Sequence, residues 1–317
     1  MTNIKGLIPG ERVDIFGIVS SLQERTKKDG GTYIDLRLED ISGSVDCKIW
    51  DAALDDIAEI EIGKLVKARA LVTEWNGKSQ LNIQMIRLSD ESDQVSIEDF
   101  IKGPPISAQE MMGDLTDIVE GFSSQSLKNI CLYFLEKYKE PLAFFPAAQM
   151  VHHAMKGGLL YHIHTMISLA LIIGDRYPGV DKDLLAAGTI IHDIGKLKEM
   201  DSDENGKVSG YTLEGQLLGH IIQGTLMLHD MANELREKGL EVDEGEVMLL
   251  EHMIASHHFD ETWGAYQKPA FLEAELLHHV DMIDSKVNIF VNVLEGMEEG
   301  TFSDSQRFLG GRKIYKP

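Results

Sequence analysis

The sequence predicts a two-domain protein in which an all-β barrel precedes an all-α domain. The first 90 residues contain five short segments with alternating apolar and polar positions, and residues from 108 onward show helical spacing of apolar positions. The chain also contains twelve histidines, and none of them precedes residue 150. A chain of 317 residues is long enough for two domains with separate cores.

The composition is that of a globular protein with a strongly acidic balance. Hydrophobic residues make up 43% of the chain and charged residues 26%. The net charge is −22, of which the first 90 residues carry only −3, from 12 basic and 15 acidic residues. An acidic chain binds a polyanion only where basic residues or metal ions act locally. The charge alone therefore identifies no partner.

Cysteine usage and the apolar runs bear on the location of the protein. Cys47 and Cys131 lie far apart and form no CxxC pair, which favours a reducing compartment. The N-terminus lacks the charged-then-apolar pattern of a signal peptide, and the longest apolar run, near 166–173, is shorter than a bilayer span. We therefore expect a cytoplasmic protein without a membrane partner.

The first domain is predicted to contain five strands, over residues 12–22, 32–39, 44–50, 64–72 and 79–86. Asn76 and Gly77 give the signal of a tight turn between the last two strands. A short helical piece is predicted over 51–60, between the third and fourth strands. This order of elements is typical of an OB-fold barrel.

Barrels of this kind bind single strands by stacking bases on aromatic side chains and by holding the backbone with cations. The predicted nucleic-acid-binding residues are Tyr33, Arg37, Lys48, Trp50, Trp75 and Lys78. Further candidates are Phe16, Arg25, Lys27 and Lys28. Phe16 and Trp50 fit the barrel core equally well, and the two adjacent lysines fit a solvated loop.

Composition places the domain boundaries. We predict an OB-fold domain over 1–90, a linker with connecting helices over 91–149, a helical metal-binding domain over 150–300 and a basic tail over 301–317. The linker is marked by Gly103-Pro104-Pro105, and the connecting helices cover 108–122 and 126–138. Later loops are predicted over 174–178, 202–210, 239–245 and 259–268.

Imidazoles and carboxylates recur in apolar surroundings along the helical domain. They are predicted on five successive helices, at His162, at His192-Asp193, at His220, at His257-His258 and at His278-His279-Asp281. Buried groups of this kind are costly unless they are paired or bind a metal. Six ligands of this mix suit two divalent cations, with Asp193 best placed as the bridge. Such a metal pair supports in-line displacement at phosphorus.

This order of residues resembles the HD-domain metal-dependent phosphohydrolases over residues 150–300. The resemblance implies a core site of His162, His192, Asp193 and Asp281, with His220, His257 and His258 completing a second metal site. It also implies that Lys196, in the sequence HDIGK, acts together with Asp193 in catalysis by facing the scissile phosphate. Two divalent ions are expected, with Mn²⁺ favoured and Fe, Zn²⁺, Co²⁺ and Mg²⁺ as alternatives.

The other histidines are expected to lie behind the ligands, in the packing or on the surface: His152, His153, His164, His229, His252, His278 and His279. Asp284, one helical turn after Asp281, is expected to be an outer partner rather than a ligand. Whether His257, His258 or both bind metal is left open.

An OB-like barrel before such a domain resembles the YhaM family of bacterial 3′→5′ exoribonucleases, nearly from end to end. The supporting stretches are DISGSVDCKIWD, GGLLYHIHTM, IIHDIGK, EAELLHHVD and LGGRKIYKP. The resemblance implies that the barrel captures a single-stranded RNA 3′ end. A hydroxide activated by two metal ions would then release nucleoside 5′-monophosphates.

Three functions stay open at this point. The first is a 3′→5′ exoribonuclease acting on single-stranded RNA, with single-stranded DNA as a further substrate to be tested. The second is a phosphodiesterase for free or cyclic nucleotides, with the barrel as a regulator. The third is a non-enzymatic single-strand-binding protein with a structural metal. A homo-oligomer is compatible with each of them.

Overall fold

The computed structural model describes residues 3–27, 30–50, 57, 59–149, 153–295 and 297–317. Three predictions fall wholly or largely outside these residues: the cation Lys28, the helical piece over 51–60, and His152. The chain divides into two compact units, residues 1–102 and 103–317. The finer domain boundaries stay predictions.

The first unit is a closed barrel. Its strands are β1 (Arg12–Thr26), β2 (Thr32–Asp40), β3 (Gly43–Ile49), β4 (Leu65–Trp75) and β5 (Lys78–Leu88). The order around the barrel is β1-β2-β3-β5-β4, and β1 is long enough to pair with both β2 and β4. β3 and β5 pair in parallel, while the other neighbours are antiparallel. The predicted OB-fold barrel is confirmed.

Alternating side chains give each strand an inward apolar face. In β3, the side chains of Val45, Cys47 and Ile49 are buried. Between β4 and β5, Asn76 and Gly77 have φ angles of 51° and 73°, which are those of a two-residue type I′ turn. Both features follow the pattern that the sequence predicts.

The second unit is helical. Its helices are α1 (Ala108–Glu120), α2 (Gln125–Lys137), α3 (Lys139–Leu142), α4 (Gly158–Arg176), α5 (Lys182–Ile191), α6 (Lys196–Glu199), α7 (Leu213–Glu237), α8 (Glu244–Ser256) and α9 (Leu272–Leu294). A hairpin of β6 (Met200–Ser202) and β7 (Val208–Tyr211) lies between α6 and α7. The predicted all-α second domain is confirmed in its main elements.

Short polar residues begin several of these helices. Each accepts a hydrogen bond from the backbone N–H three residues further on, as N-caps do: Ser107, Ser124, Asp181, Thr212 and Asp243. The helices then share one apolar core, to which α1 and α2 contribute Leu115 and Phe134 beside residues of α4 and α5. The helices predicted as connecting elements are therefore part of this core.

By length and composition, α4 could cross a membrane. Half of its apolar window is buried inside the unit, and it carries the buried polar side chain of His162. A core helix of a globular protein meets the same criterion, so the criterion is weak support for a membrane span. The expected lack of a membrane partner stays a prediction.

The structure differs from the sequence prediction at three places near the candidate site. The predicted loop over 202–210 is largely a hairpin, whose three- and four-residue strands are too short to show alternation. The placement of His257-His258 on a helix is wrong, because α8 ends at Ser256. The placement of His192 and Asp193 on a helix is also wrong, because α5 ends at Ile191. The amides of Ile194 and Lys196 bond to carbonyls three residues back, and this tighter turn ends the helix.

The basic tail packs against the end of α9. Phe302 and Tyr315 form an isolated β-bridge within it. The Nζ of Lys316 donates hydrogen bonds to the carbonyl oxygens of Leu294 (3.1 Å) and Met297 (2.8 Å). A cation at this position complements the negative end of the helix dipole.

Candidate metal centre and nucleic-acid interface

All seven predicted ligand residues lie around one region of the helical unit. Within each of two groups, one ligand atom per residue lies within 4.8 Å of the others. The first group is His162, His192 and Asp193, and the second is His220, His257 and His258. Asp281 on α9 joins the first group, since its Oδ1 lies 3.4 Å from the Nε2 of His162.

Asp193 lies between the two groups. Its Oδ2 is 3.3 Å from the Nε2 of His192 and 3.8 Å from the Nε2 of His162. Its Oδ1 is 3.8 Å from the Nε2 of His257 and 3.9 Å from the Nε2 of His220. The two oxygens thus face different histidine pairs, which is the arrangement that a bridging carboxylate requires.

Several polar atoms at this centre are buried without a hydrogen bond to any residue that the structure describes. They are the Nε2 atoms of His192, His220 and His257 and the Oδ1 atom of Asp193. A buried group left in this state costs about 1–3 kcal/mol. Divalent cations would satisfy all four atoms at once, so the residues present fit a metal centre.

Backbone carbonyls orient two of the imidazoles. The Nδ1 of His192 lies 2.9 Å from the carbonyl oxygen of Thr189, and the Nδ1 of His257 lies 2.8 Å from that of Ile254. Since a carbonyl oxygen only accepts, each Nδ1 carries the proton and each Nε2 presents its lone pair to the centre.

A carboxylate that the sequence analysis missed, Glu199, orients His220. Glu199 accepts hydrogen bonds from the backbone N–H (2.9 Å) and the Nδ1 (3.0 Å) of His220. Burial raises the pKa of Glu199, but the hydrogen bonds from His220 outweigh it and the pKa is lowered. His220 follows a kink in α7 at Gly219 (φ 66°, ψ 167°). This kink allows one side chain to bond both donors.

Behind His162 lies a chain of three polar residues. Oδ2 of Asp284 lies 2.7 Å from the Nδ1 of His162 and 2.7 Å from the Nε2 of His153. Asn288 accepts a hydrogen bond from the backbone N–H of His153 (3.1 Å), which has a positive φ of 50°. Asp284 therefore occupies the outer position expected of it, and His153 supports it from behind.

Lys196 contacts the metal-ligand candidate directly. Its Nζ lies 2.6 Å from the Oδ2 of Asp193. Burial lowers the pKa of Lys196, but the Asp193 carboxylate outweighs it and the pKa is raised. Burial likewise raises the pKa of Asp193, yet Lys196 and His192 hold it well below the usual value. This ion pair was not predicted; the role of Lys196 toward a phosphate stays a prediction.

The proton held by His162 gives a testable pH dependence. Burial alone would lower the pKa of His162. The carboxylates of Asp281 and Asp284 have the larger, opposite effect, and together they raise the pKa to about 9. At pH 7.5 the metal-free centre therefore carries a proton on His162, which a metal must displace. We expect metal binding to release about one proton from this group, and the affinity to strengthen up to tenfold per pH unit until about pH 9.

Titration calorimetry in two buffers of different ionisation enthalpy measures the proton release. In Asp284→Asn, which removes one of the two carboxylates, less proton release is expected at the same pH. Binding heats that do not depend on the buffer would contradict this prediction.

The remaining described histidines lie outside the two groups. Three of them face carboxylates elsewhere: His164 with Asp114, His229 with Glu251 and His279 with Glu275. The Nε2 of His252 accepts a hydrogen bond from the backbone N–H of Ala270. The Nδ1 of His278 lies 2.7 Å from the carbonyl oxygen of His257 and so helps to fix the end of α8.

The barrel carries a groove of about 840 Å³ on one face. Five of the six predicted nucleic-acid-binding residues line it: Tyr33, Arg37, Lys48, Trp50 and Trp75. Lys78 does not line this groove but is paired with Trp75 across the β4–β5 turn. Arg25 lines the groove as well. Phe16 neither lines the groove nor belongs to the apolar core of the barrel; its buried ring packs against Phe100, and the Nζ of Lys67 lies 5.1 Å from its centre.

The groove presents stacked aromatic rings. The rings of Tyr33 and Trp50 lie 5.0 Å apart at an interplanar angle of 28°. The Nζ of Lys27 lies 5.2 Å from the centre of the Trp50 ring, and that of Lys48 lies 5.0 Å from the centre of the Tyr33 ring. Trp75 is 67% exposed. This is a surface on which bases can stack.

Carboxylates neutralise the cations of the groove. Arg37 pairs with Asp46 at 3.0 Å, and Lys48 with Asp35. Arg25 also lies 3.7 Å from Asp35. The aromatic rings of this face are therefore better suited to hold a ligand than its paired cations are.

Comparison with known proteins agrees with this fold and centre. Residues 13–96 match the OB-fold nucleic acid binding domain family, and residues 159–286 match the HD domain family. The protein is thus a barrel-bearing member of the HD-domain proteins, a class with a divalent metal centre.

Curated relatives name the family more closely. The chain is 36% identical to the 3′-5′ exoribonuclease YhaM of Bacillus licheniformis and to that of Bacillus subtilis, over 97% of this chain and 96% of each relative. It therefore belongs to the YhaM family. The solved second OB-fold domain of replication protein A from Methanococcus maripaludis aligns at 22% identity with a TM-score of 0.25, covering 28% of this chain and 95% of that domain.

Proposed function

We propose that this protein is a metal-dependent 3′→5′ exoribonuclease that shortens single-stranded RNA and releases nucleoside 5′-monophosphates. The observation that carries the proposal is the position of Asp193, whose two oxygens face two separate histidine pairs. The name of the relatives, 3′-5′ exoribonuclease, supports the substrate and the direction of hydrolysis.

We propose Mn²⁺ as the physiological metal, with two ions per centre. His162, His192, Asp193 and Asp281 would hold one ion, and Asp193, His220, His257 and His258 the other. Imidazole and carboxylate ligands without a thiolate suit Mn²⁺, and also Fe, Co²⁺, Zn²⁺ or Mg²⁺. When bound, a metal pair would make a water molecule more acidic and would neutralise charge at phosphorus.

The chain itself binds and orients the phosphate. Lys196 lines the same cavity as Asp193 and Asp281, and its ammonium stays charged beside Asp193. We assign to Lys196 a contact with a phosphate oxygen, where it would stabilise developing charge or protonate the leaving oxygen. Glu199, Asp284 and His153 keep the imidazoles oriented for this reaction.

We assign the barrel groove to the single strand that precedes the 3′ end. The Tyr33–Trp50 stack and Trp75 would bind bases without sequence preference. Both cysteines are free and buried, which fits our further proposal of a reducing cytoplasmic location.

The test is hydrolysis of a 5′-labelled single-stranded RNA in the presence of Mn²⁺. We expect a ladder that shortens from the 3′ end, nucleoside 5′-monophosphates as products, and no reaction with EDTA. A single-stranded DNA of the same sequence shows whether DNA is a substrate too. An RNA left intact with each of Mn²⁺, Fe²⁺, Co²⁺, Zn²⁺ and Mg²⁺ would overturn the proposal.

Trp50→Ala combined with Trp75→Ala separates this proposal from a nucleotide phosphodiesterase with a regulatory barrel. Loss of two stacking side chains is expected to lower kcat/KM on a 20-nucleotide RNA by about 10-fold or more. Hydrolysis of bis(p-nitrophenyl) phosphate, which carries no upstream single strand that could stack on Trp50 and Trp75, should not change. Faster hydrolysis of free or cyclic nucleotides than of RNA would favour the alternative.

A further inference from the structure

We propose that Tyr211 stacks on the base of the 3′-terminal nucleotide, which gives the helical unit a base-binding site of its own. The inference rests on the proposed function and adds the group that would hold the nucleotide about to be released. Tyr211 is not one of the predicted metal ligands, and it does not line the barrel groove.

Tyr211 shares a cavity with the metal-centre residues. The cavity has a volume of about 250 Å³, and its walls include Asp193, Lys196, His220, Asp281 and Tyr211. Pockets for drug-sized ligands have volumes of about 300–1,000 Å³. The cavity is therefore suited to one nucleoside unit attached to a phosphate at Asp193, and not to a run of several bases.

The aromatic side chain is available for stacking. Tyr211 is 47% exposed although it lies beside a buried centre. Neither a hydrogen bond of its hydroxyl group nor a ring contact joins it to another residue of the described part of the chain. It is also absent from the apolar core of the helical unit. Core packing therefore does not account for a large aromatic ring at this position.

The backbone of Tyr211 is fixed relative to the metal centre. Tyr211 pairs with Met200 across the β6–β7 hairpin, and its carbonyl oxygen accepts a hydrogen bond from Gln216 (3.1 Å). The next residue, Thr212, donates its backbone N–H to the carbonyl oxygen of Glu199 (3.0 Å). Glu199 is the residue that holds His220. Because the backbone is already fixed, only the rotation of the side chain has to be ordered when a base binds.

The position of the charged side chains indicates which part of the nucleotide Tyr211 would contact. Among the described residues that line the cavity, the lysine is Lys196, which lies beside Asp193, on the side where a phosphate oxygen would lie. Tyr211 offers an aromatic face, which suits a base rather than a phosphate. Since every base has a π-face, we expect no preference among the four terminal bases.

A substrate-and-mutant cycle tests the inference. The wild type and Tyr211→Ala are each assayed on two RNAs, one with a normal 3′-terminal nucleotide and one whose terminal nucleotide is abasic. We expect Tyr211→Ala to lower kcat/KM about 5- to 150-fold on the normal RNA. On the abasic RNA the wild type and the variant should react at equal rates, because neither can stack.

Two further variants control for folding and for aromatic character. Tyr211→Phe keeps the ring and should retain activity on the normal RNA. Tyr177→Ala removes a tyrosine of similar exposure that lies outside the cavity and should leave both rates unchanged. Far-UV circular dichroism checks that each variant is folded.

The assays separate a failure of the stacking role of Tyr211 from a failure of the proposed function. Equal losses of Tyr211→Ala on the normal and the abasic RNA, or no loss on either, would overturn the stacking role while the exonuclease activity stands. A wild type that cleaves neither RNA with any divalent ion would overturn the proposed function, and this inference with it.

Discussion

Asp193→Asn is expected to abolish hydrolysis of RNA, with a fall in kcat/KM of at least about 10³-fold. Among the described residues, this carboxylate alone has oxygens within 4 Å of ring nitrogens of both His192 and His257. An amide keeps the shape but presents one oxygen and an NH₂ group, which repels a cation. Metal analysis by inductively coupled plasma mass spectrometry should show fewer than two ions retained after dialysis.

The substitution also removes the partner of a buried cation, so stability must be separated from catalysis. Lys196 would remain buried without its carboxylate, which costs about 3–5 kcal/mol when one member of a buried pair is removed. The double variant Asp193→Asn with Lys196→Met removes both charges. We expect this variant to regain much of the lost Tm and to remain inactive.

Asp230→Asn, at an exposed aspartate on α7, is the matched control and should retain activity and Tm. A folded Asp193→Asn variant that degrades RNA at more than about a tenth of the wild-type rate would exclude a bridging role for this residue. It would then leave Asp281 as the carboxylate to test.

Local sequence patterns predicted the main strands and helices, because the spacing of apolar residues shows which face of each element is buried. Alternation in β3 and the Asn76-Gly77 turn identified the barrel strands closely, since each depends on neighbouring residues alone. The β6–β7 hairpin was missed although Asn205-Gly206 is a hairpin signal. Its strands are so short that the surrounding residues read as a loop.

The absence of histidines before residue 150 indicated that the metal centre lies in the second unit, and the resemblance to HD-domain phosphohydrolases supplied its ligand set. Their supporting residues could not. Glu199 reaches His220 only because α6 packs beside the kinked start of α7, and His153 reaches Asp284 across 131 positions of sequence. Such contacts depend on tertiary packing, which periodicity does not describe. Glu199 follows Lys196 by three residues, and residues three apart lie on the same face of a helix. This spacing was a weak indication that Glu199 lies near the metal centre.

Gly195→Ala is expected to have the second large effect, through packing instead of charge. A Cβ at Gly195 would lie 1.8 Å from the carbonyl oxygen of His220 and 2.6 Å from the backbone nitrogen of Gly224. Both atoms belong to the backbone of α7, so the helix itself must move. Overpacking of this kind costs about 1–3 kcal/mol or more, and each kcal/mol lowers Tm by about 2–4 °C in a unit of this size.

The displacement of α7 in Gly195→Ala should affect the two metal sites unequally. His220 would shift with α7, whereas His162 and Asp281 lie on other helices. We therefore expect the affinity for one of two ions to fall about 10- to 100-fold, as when a ligand loses its support. Calorimetric titration with Mn²⁺ resolves the two binding events.

Gly113→Ala is the matched control for this prediction. Gly113 is an exposed residue inside α1, and an added Cβ would meet no atom within 4 Å. Alanine there should stabilise the protein by about 0.5–1 kcal/mol, because glycine is the poorer helix former. A Gly195→Ala variant with the same stability and the same affinity for both ions as Gly113→Ala would contradict this prediction. It would show that the close approach of the α5–α6 turn to α7 does not position His220.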